Sequence, residues 1–195
     1  MTASDGPAQG ERPGLRADAA LNRQRILAAA REALALSGDA SMQSIAKRAG
    51  IGQGTMYRHF ATREALILAV HRKDVQELVE AAPKLVASRP APIALREWFD
   101  RLASYGRVKH GLAGALYSVM RETLADEGYA SIVDAITLLL NAGKQAGTVR
   151  QDIDAEEMLL LVGFLWRIEY DEQWEARTSH LLDLVMDSLR PKATE

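Results

Sequence analysis

From Ala17 onward apolar residues recur every three or four positions, and no stretch sustains the two-residue alternation of a half-buried strand. This pattern predicts an all-α chain of about nine helices. The first runs from about Ala19 to Leu36, with Ile26, Ala30 and Ala33 on one stripe, Leu27 and Leu34 beside it, and Gly38 available to end it. Ser41 is a good N-cap for a short helix ending near Ala49. Gly50-Ile51-Gly52 then makes a turn, and a second short helix spans about Gln53 to His59. Thr62 caps a longer helix to about Ala82, where Pro83 is a breaker that leaves room for one more turn. Beyond Pro90 and Pro92, helices are predicted at about Ile93–Lys109, Ala113–Ala125, Tyr129–Gln145, Ala155–Glu169 and Gln173–Leu189, with Asp154 a plausible N-cap. Residues 1–17, rich in Gly, Pro and polar types, read as a disordered tail in which Arg12 and Arg16 form either a basic arm or an ordinary solvated end.

The two short helices are the informative part. Joined by a three-residue turn containing Gly, they make a helix-turn-helix over about residues 41–60. Ile45, Ala46, Ala49, Ile51, Met56, Phe60 and Leu66 supply a small shared core, with the alanines small enough to let the helices cross closely. The second helix is then left with Gln53, Gly54, Thr55, Tyr57, Arg58 and His59 facing outward. An α-helix fits the major groove of B-DNA, which is about 12 Å wide. Gly54 permits close backbone approach, and the Thr55 and Tyr57 hydroxyls can donate to phosphate oxygens, as can His59 and Arg63. The Gln43 and Gln53 amides suit the adenine N6/N7 edge, and Arg58 suits guanine O6/N7. The helix after Thr62 presents free N–H groups to a phosphate. Taken singly each residue is weak evidence, since a tyrosine is more often packed than bound to phosphate. The ordered set is specific.

Charge adds modest support. The chain of 195 residues carries a formal net charge of −2. Its basic residues lie towards the front: Met1–Val75 holds 11 Lys/Arg against 7 Asp/Glu, and the remainder 13 against 19. There is no cysteine, which removes disulfides, thiolate zinc sites and cysteine nucleophiles. No secretory pattern and no long apolar run is present, so a soluble cytoplasmic protein that does not enter membranes is expected.

The segment AGIGQGTMYRHFATREAL, together with the earlier RQRILAAAREALALSG, resembles the TetR/AcrR family of bacterial regulators over roughly Ala19–Glu80. The resemblance implies a three-helix DNA-binding head, a fourth connecting helix, and a helical regulatory domain that dimerises through its last two helices. It places Ser41 and Gln43 at DNA contacts of the second helix, and Gln53, Gly54 and Thr55 at the start of the recognition helix. Tyr57 and His59 fall at its phosphate contacts. Arg63 stands where the family usually has Lys, and Gln53 where Ser or Pro is frequent, which leaves the operator sequence open. The expected domains are a tail over 1–17, a head over 18–80 and a ligand-binding and dimerisation domain over 81–195.

The similarity fades after Ala82, though AGTVRQDIDAEEM (Ala146–Met158) resembles a recurring loop-to-helix phrase of the family. The predicted helix Ala155–Glu169 is apolar nearly all round and needs partners on both sides. A second subunit is the natural one, with Leu161, Leu165, Leu181, Leu182, Val185 and Leu189 forming a four-helix homodimer interface. Trp98, Leu102, Tyr105, Tyr117, Met120, Arg121, Ile136 and Trp166 are candidate walls of a pocket for a small apolar effector, though plain core packing is the better reading of each. These expectations combine into a repressor on a palindromic double-stranded operator, its two heads about 34–36 Å apart, released when the effector favours another spacing. No cofactor is expected. An enzyme is disfavoured because His59, His71, His110 and His180 are scattered and no nucleophile–base pair or phosphate loop is present. A protein-binding adaptor is disfavoured by the basic, ordered recognition face.

Overall fold

The computed structural model describes residues 13–36, 39–111, 127–169 and 171–191. The described residues form helices α1 (Pro13–Leu36), α2 (Met42–Arg48), α3 (Gln53–His59), α4 (Arg63–Ser88), α5 (Ala91–Gly111), α6 (Glu127–Gln145), α7 (Ala155–Leu161) and α8 (Trp174–Ser188), with a 3-10 helix over Val162–Trp166 between the last two. The fold is all-α with a helix-turn-helix at the front. The helix predicted over Ala113–Ala125 lies outside the described residues.

Local chemistry sets the ends. The Ser41 side chain accepts from Ser44 N at 3.1 Å, and Thr62 does the same for Ala65 at 3.1 Å. Asp154 and Glu157 form a reciprocal capping box at the start of α7. Gly50 and Gly147 sit at φ 67°, a conformation costly for any residue with a Cβ. Helix α1 begins at Pro13, a residue tolerated in a first turn because its missing N–H has no acceptor there, so residues 13–17 are helical rather than part of a tail. Helix α4 runs through Pro83 to Ser88, six residues beyond the expected end at Ala82 and a little past the one further turn that Pro83 was expected to allow.

Two apolar clusters divide the molecule. The first joins α1–α3 and the start of α4 through Ile26, Leu34, Ile45, Met56, Phe60, Leu66 and Val70. The second gathers Leu78, Trp98, Phe99, Leu102, Ile136, Met158, Val162, Leu182 and Leu189 from the second half of α4 onward. Each large side chain so buried contributes roughly 1.5–3 kcal/mol. Helix α4 belongs to both clusters and passes from one to the other between Val70 and Leu78.

The predicted helix Ala155–Glu169 is not continuous. It tightens into the 3-10 helix, where residues three apart share a side, and that places both Val162 and Leu165 in the core. The Trp166 ring then packs over Gly106, where an added Cβ would lie 2.7 Å from the ring. Leu165, Leu182, Val185 and Leu189, expected at a dimer interface, are buried in the subunit's own core. Leu161 is exposed and Leu181 half-buried. The apolar side chains that this end of the fold does expose include Leu160 and Leu184.

Candidate nucleic-acid interface

The first cluster fixes how α3 is presented. Met56 is fully buried and Phe60 nearly so, and they anchor one side of α3 against Ile45, Ala46 and Leu66. The opposite side must then face solvent. Gln53, Gly54, Tyr57 and Arg58 are exposed, with Tyr57 at 52% of its full area, and Thr55 and His59 are half-buried. Ser41 and Gln43 are exposed on the adjacent start of α2, the former as its N-cap. The expected DNA-facing residues Ser41, Gln43, Gln53, Gly54, Tyr57 and Arg58 are thus all exposed, and Thr55 and His59 partly so. Between Ser41 and Arg63 the chain carries Lys47, Arg48, Arg58 and Arg63 and no acidic residue, so this segment is cationic.

Two glycines mark it further. A Cβ built at Gly52 or Gly54 would meet nothing within 4 Å. Neither has the positive φ that would itself call for glycine. Nothing inside the subunit requires a bare backbone there, and a bare backbone is what close external approach requires.

Three of these cations are already engaged within the chain, Arg48 by Glu32 of α1 at 3.4 Å. Arg58 lies back along its own helix, its Nε donating to Gly54 O at 3.1 Å and its Nη2 to Thr55 Oγ1 at 3.3 Å. These are exposed contacts, and exchanging them for a base or phosphate costs little. Arg63 is partly buried and its Nε donates to Ala40 O at 3.3 Å, so it ties the start of α4 to the turn before α2. The sequence indicated a phosphate contact for Arg63 and gave no sign of this internal bond.

Comparison with known proteins fits this geometry. Residues 26–70 match the family described as bacterial regulatory proteins, tetR family, and residues 90–191 match the transcriptional regulator SbtR-like C-terminal domain. The chain belongs to the TetR family of transcriptional regulators. It is similar to the TetR transcriptional regulator SCO0520 of Streptomyces coelicolor, with 38% identity, a TM-score of 0.80, and coverage of 88% of this chain and 99% of that one. The HTH-type transcriptional repressor Rv1474c of Mycobacterium tuberculosis is 27% identical over 184 residues, 88% of this chain and 94% of the relative. The fatty acid metabolism regulator protein of Bacillus subtilis is 25% identical over 146 residues, 67% of this chain and 72% of the relative.

In this TetR-family chain the described candidate effector residues Trp98, Leu102, Tyr105, Ile136 and Trp166 come together as packed core. Trp98, Leu102 and Ile136 are fully buried core, and the Trp98 indole donates to Leu78 O at 2.9 Å. Trp166 stands edge-on to Tyr105 at 5.8 Å between ring centroids. Tyr117, Met120 and Arg121 lie outside the described residues. Tyr105 lines a cleft whose other walls carry the charged residues Arg31, Asp74, Glu77, Glu97, Asp100 and Arg101. A separate groove of about 310 Å³ between α4 and α6 is walled by Val75 and Val79, with His71 and Ser131 among its polar members.

Sequence reasoning missed the polar seam between the two clusters. His71 and Asp74, one turn apart on α4, are both buried. Arg31 of α1 donates from Nε to Asp74 Oδ1 at 2.8 Å, and the Tyr105 hydroxyl of α5 lies 3.3 Å from His71 Nδ1. Burial raises the Asp74 carboxyl above its ordinary range, against the pull of Arg31. Burial, helped by the Asp74 charge, also pushes the Tyr105 phenol up. The available signal was Asp74 itself, a lone acid on the apolar stripe of a long helix.

Proposed function

We propose that this chain is a homodimeric repressor, without enzymatic activity, that acts in the bacterial cytoplasm and leaves a palindromic operator when a small apolar molecule binds its second domain. The observation that carries the DNA-binding mode is the exposed α3 face with glycines that nothing within the subunit demands. Gln53 and Gln43 then read base edges, Arg58 reads a base once it leaves Thr55, and Ser41, Thr55, Tyr57 and His59 hold phosphates. Arg63 steadies the start of α4 while contributing positive charge. The head extends over residues 18–80 and the effector and dimer domain over 81–195. Repression is supported by the name of the Mycobacterium tuberculosis relative. An apolar effector is supported by the name of the Bacillus subtilis relative and by the valine-walled groove on α4. Because α4 also anchors α3, a molecule in that groove acts on the helix that sets the spacing of the heads.

Two copies would meet through exposed apolar side chains at this end of the fold, Leu160, Leu161 and Leu184 among them. Leu160 is 81% exposed, so Leu160→Glu leaves the subunit fold intact and splits the dimer in sedimentation. The DNA reading is tested with operator fragments selected from a random pool, followed by anisotropy at rising salt. A dimer making 6–10 phosphate contacts loses about 10³–10⁵ in affinity between 50 and 200 mM salt. Failure to enrich any sequence, or binding indifferent to salt, rejects the reading.

A further inference from the structure

A cleft of about 420 Å³ opens between α1, α4 and α5, on the polar seam and apart from the valine-walled groove. Leu78 and Tyr105 give it an apolar wall, and Asp74, Glu77, Glu97 and Asp100 place four carboxylates around it against the guanidinium groups of Arg31 and Arg101. The outer acids are satisfied from outside, Glu77 by Lys73 at 3.4 Å, Glu97 by Arg89 at 3.1 Å and Asp100 by Arg96. Asp74 differs. Its side chain is only 4% exposed, Arg31 occupies Oδ1, and Oδ2 is shielded from solvent without a hydrogen-bond donor. A buried carboxylate oxygen left in this state costs free energy that a positioned donor recovers, most of all a charged one.

We propose that this cleft is a second ligand site, for a small organic cation that carries N–H donors and a flat apolar body, such as an amidinium or a primary ammonium. A small rotation of the Asp74 carboxylate turns Oδ2 to the cleft, where the ligand N–H donates to it, while the rim acids attract the cation and its body lies against Leu78 and Tyr105. Arg31 keeps Oδ1, so the bound cation completes the carboxylate rather than displacing the ion pair. The site touches α1 of the head and α5 of the second domain together, and occupation stiffens the junction between them. Nothing in this inference depends on which DNA sequence is read.

The full-length protein is titrated with benzamidinium and with butylammonium by ligand-observed NMR, and benzamide serves as the neutral isostere of the first. Saturable binding of at least one cation, with benzamide silent, is the expected result. Asp74→Asn weakens binding about tenfold or more, the scale of one charged hydrogen bond. Because Asp74 is buried and its variant can fail to fold, Ser104→Trp is the second arm. Ser104 is an exposed cleft residue, and tryptophan there fills the space and abolishes binding in a folded protein. Failure of both cations to bind, equal binding of benzamide, or binding that survives Ser104→Trp overturns the proposal.

Discussion

The two apolar clusters differ in how far along the chain their partners lie. In the head, α2, the turn and α3 are contiguous, and their caps and turns act over three to five residues, as in Ser41 to Ser44 and Gly50 to Lys47. In the second domain the decisive contacts span long separations. The Trp98 indole meets Leu78, Arg96 reaches Asp183, and Trp166 packs on Gly106. The polar seam between them belongs to neither, joining Arg31 to Asp74 across 43 positions and His71 to Tyr105 across 34. The head is therefore a locally encoded reading device, while the second domain and the seam depend on tertiary packing.

Breaking the second domain at its centre gives the largest effect. Trp98→Ala removes a fully buried ring and its indole bond. It is expected to cost about 3–5 kcal/mol in urea unfolding. Hydrogen exchange should show protection lost first in α5 and α6 and retained longer in α2 and α3. Simultaneous loss in both regions would deny the division into two clusters.

The seam comes next. Arg31→Ala leaves Asp74 buried without its ion-pair partner, a loss of about 1–3 kcal/mol. Its pH dependence follows from the raised carboxyl. A group whose folded pKa exceeds its unfolded value favours the folded state most when protonated, below the unfolded value of about 3.9. That contribution is lost as pH rises through the folded pKa. Arg31 lowers the folded pKa, so removing it widens this window upward. The destabilisation by Arg31→Ala should therefore be small near pH 4 and grow towards neutrality. A loss independent of pH would mean that the pair does not govern Asp74 ionisation.

Within the head, Gly50→Ala places a Cβ at φ 67° in the turn before α3. Neighbouring atoms leave room for it, so the penalty is backbone strain alone, about 1–2 kcal/mol. The expected signature is a small fall in stability with increased exchange at α2 and α3 only.

The same contrast explains what was legible in the sequence. Ser41, Gly50, Thr62 and Asp154 carry their structural meaning in neighbouring residues, and the elements they bound were found. The expected outward face of α3 follows from the burial of Met56 and Phe60 on its other side. The interface residues Leu165, Leu182, Val185 and Leu189 were misplaced because periodicity reports an apolar face without saying which partner covers it. The helix over Ala155–Glu169 was drawn unbroken because a 3-10 segment repeats every three residues, close to the α-helical period. Arg63 read as a surface cation because its bond to Ala40 O crosses 23 positions. Trp98, Leu102 and Ile136 entered the candidate pocket because aromatic and aliphatic residues line pockets and fill cores alike.

DNA recognition turns on α3 entering a groove, and Gln53 and Tyr57 test this together. Binding of Gln53→Ala and Tyr57→Phe is measured against the selected operator and a panel of its single-base-pair variants. Gln53→Ala should lose preference at one base pair per half-site, worth about 1–3 kcal/mol, while Tyr57→Phe should weaken every fragment alike. An unchanged base-preference profile in the first and unchanged affinity in the second would contradict it.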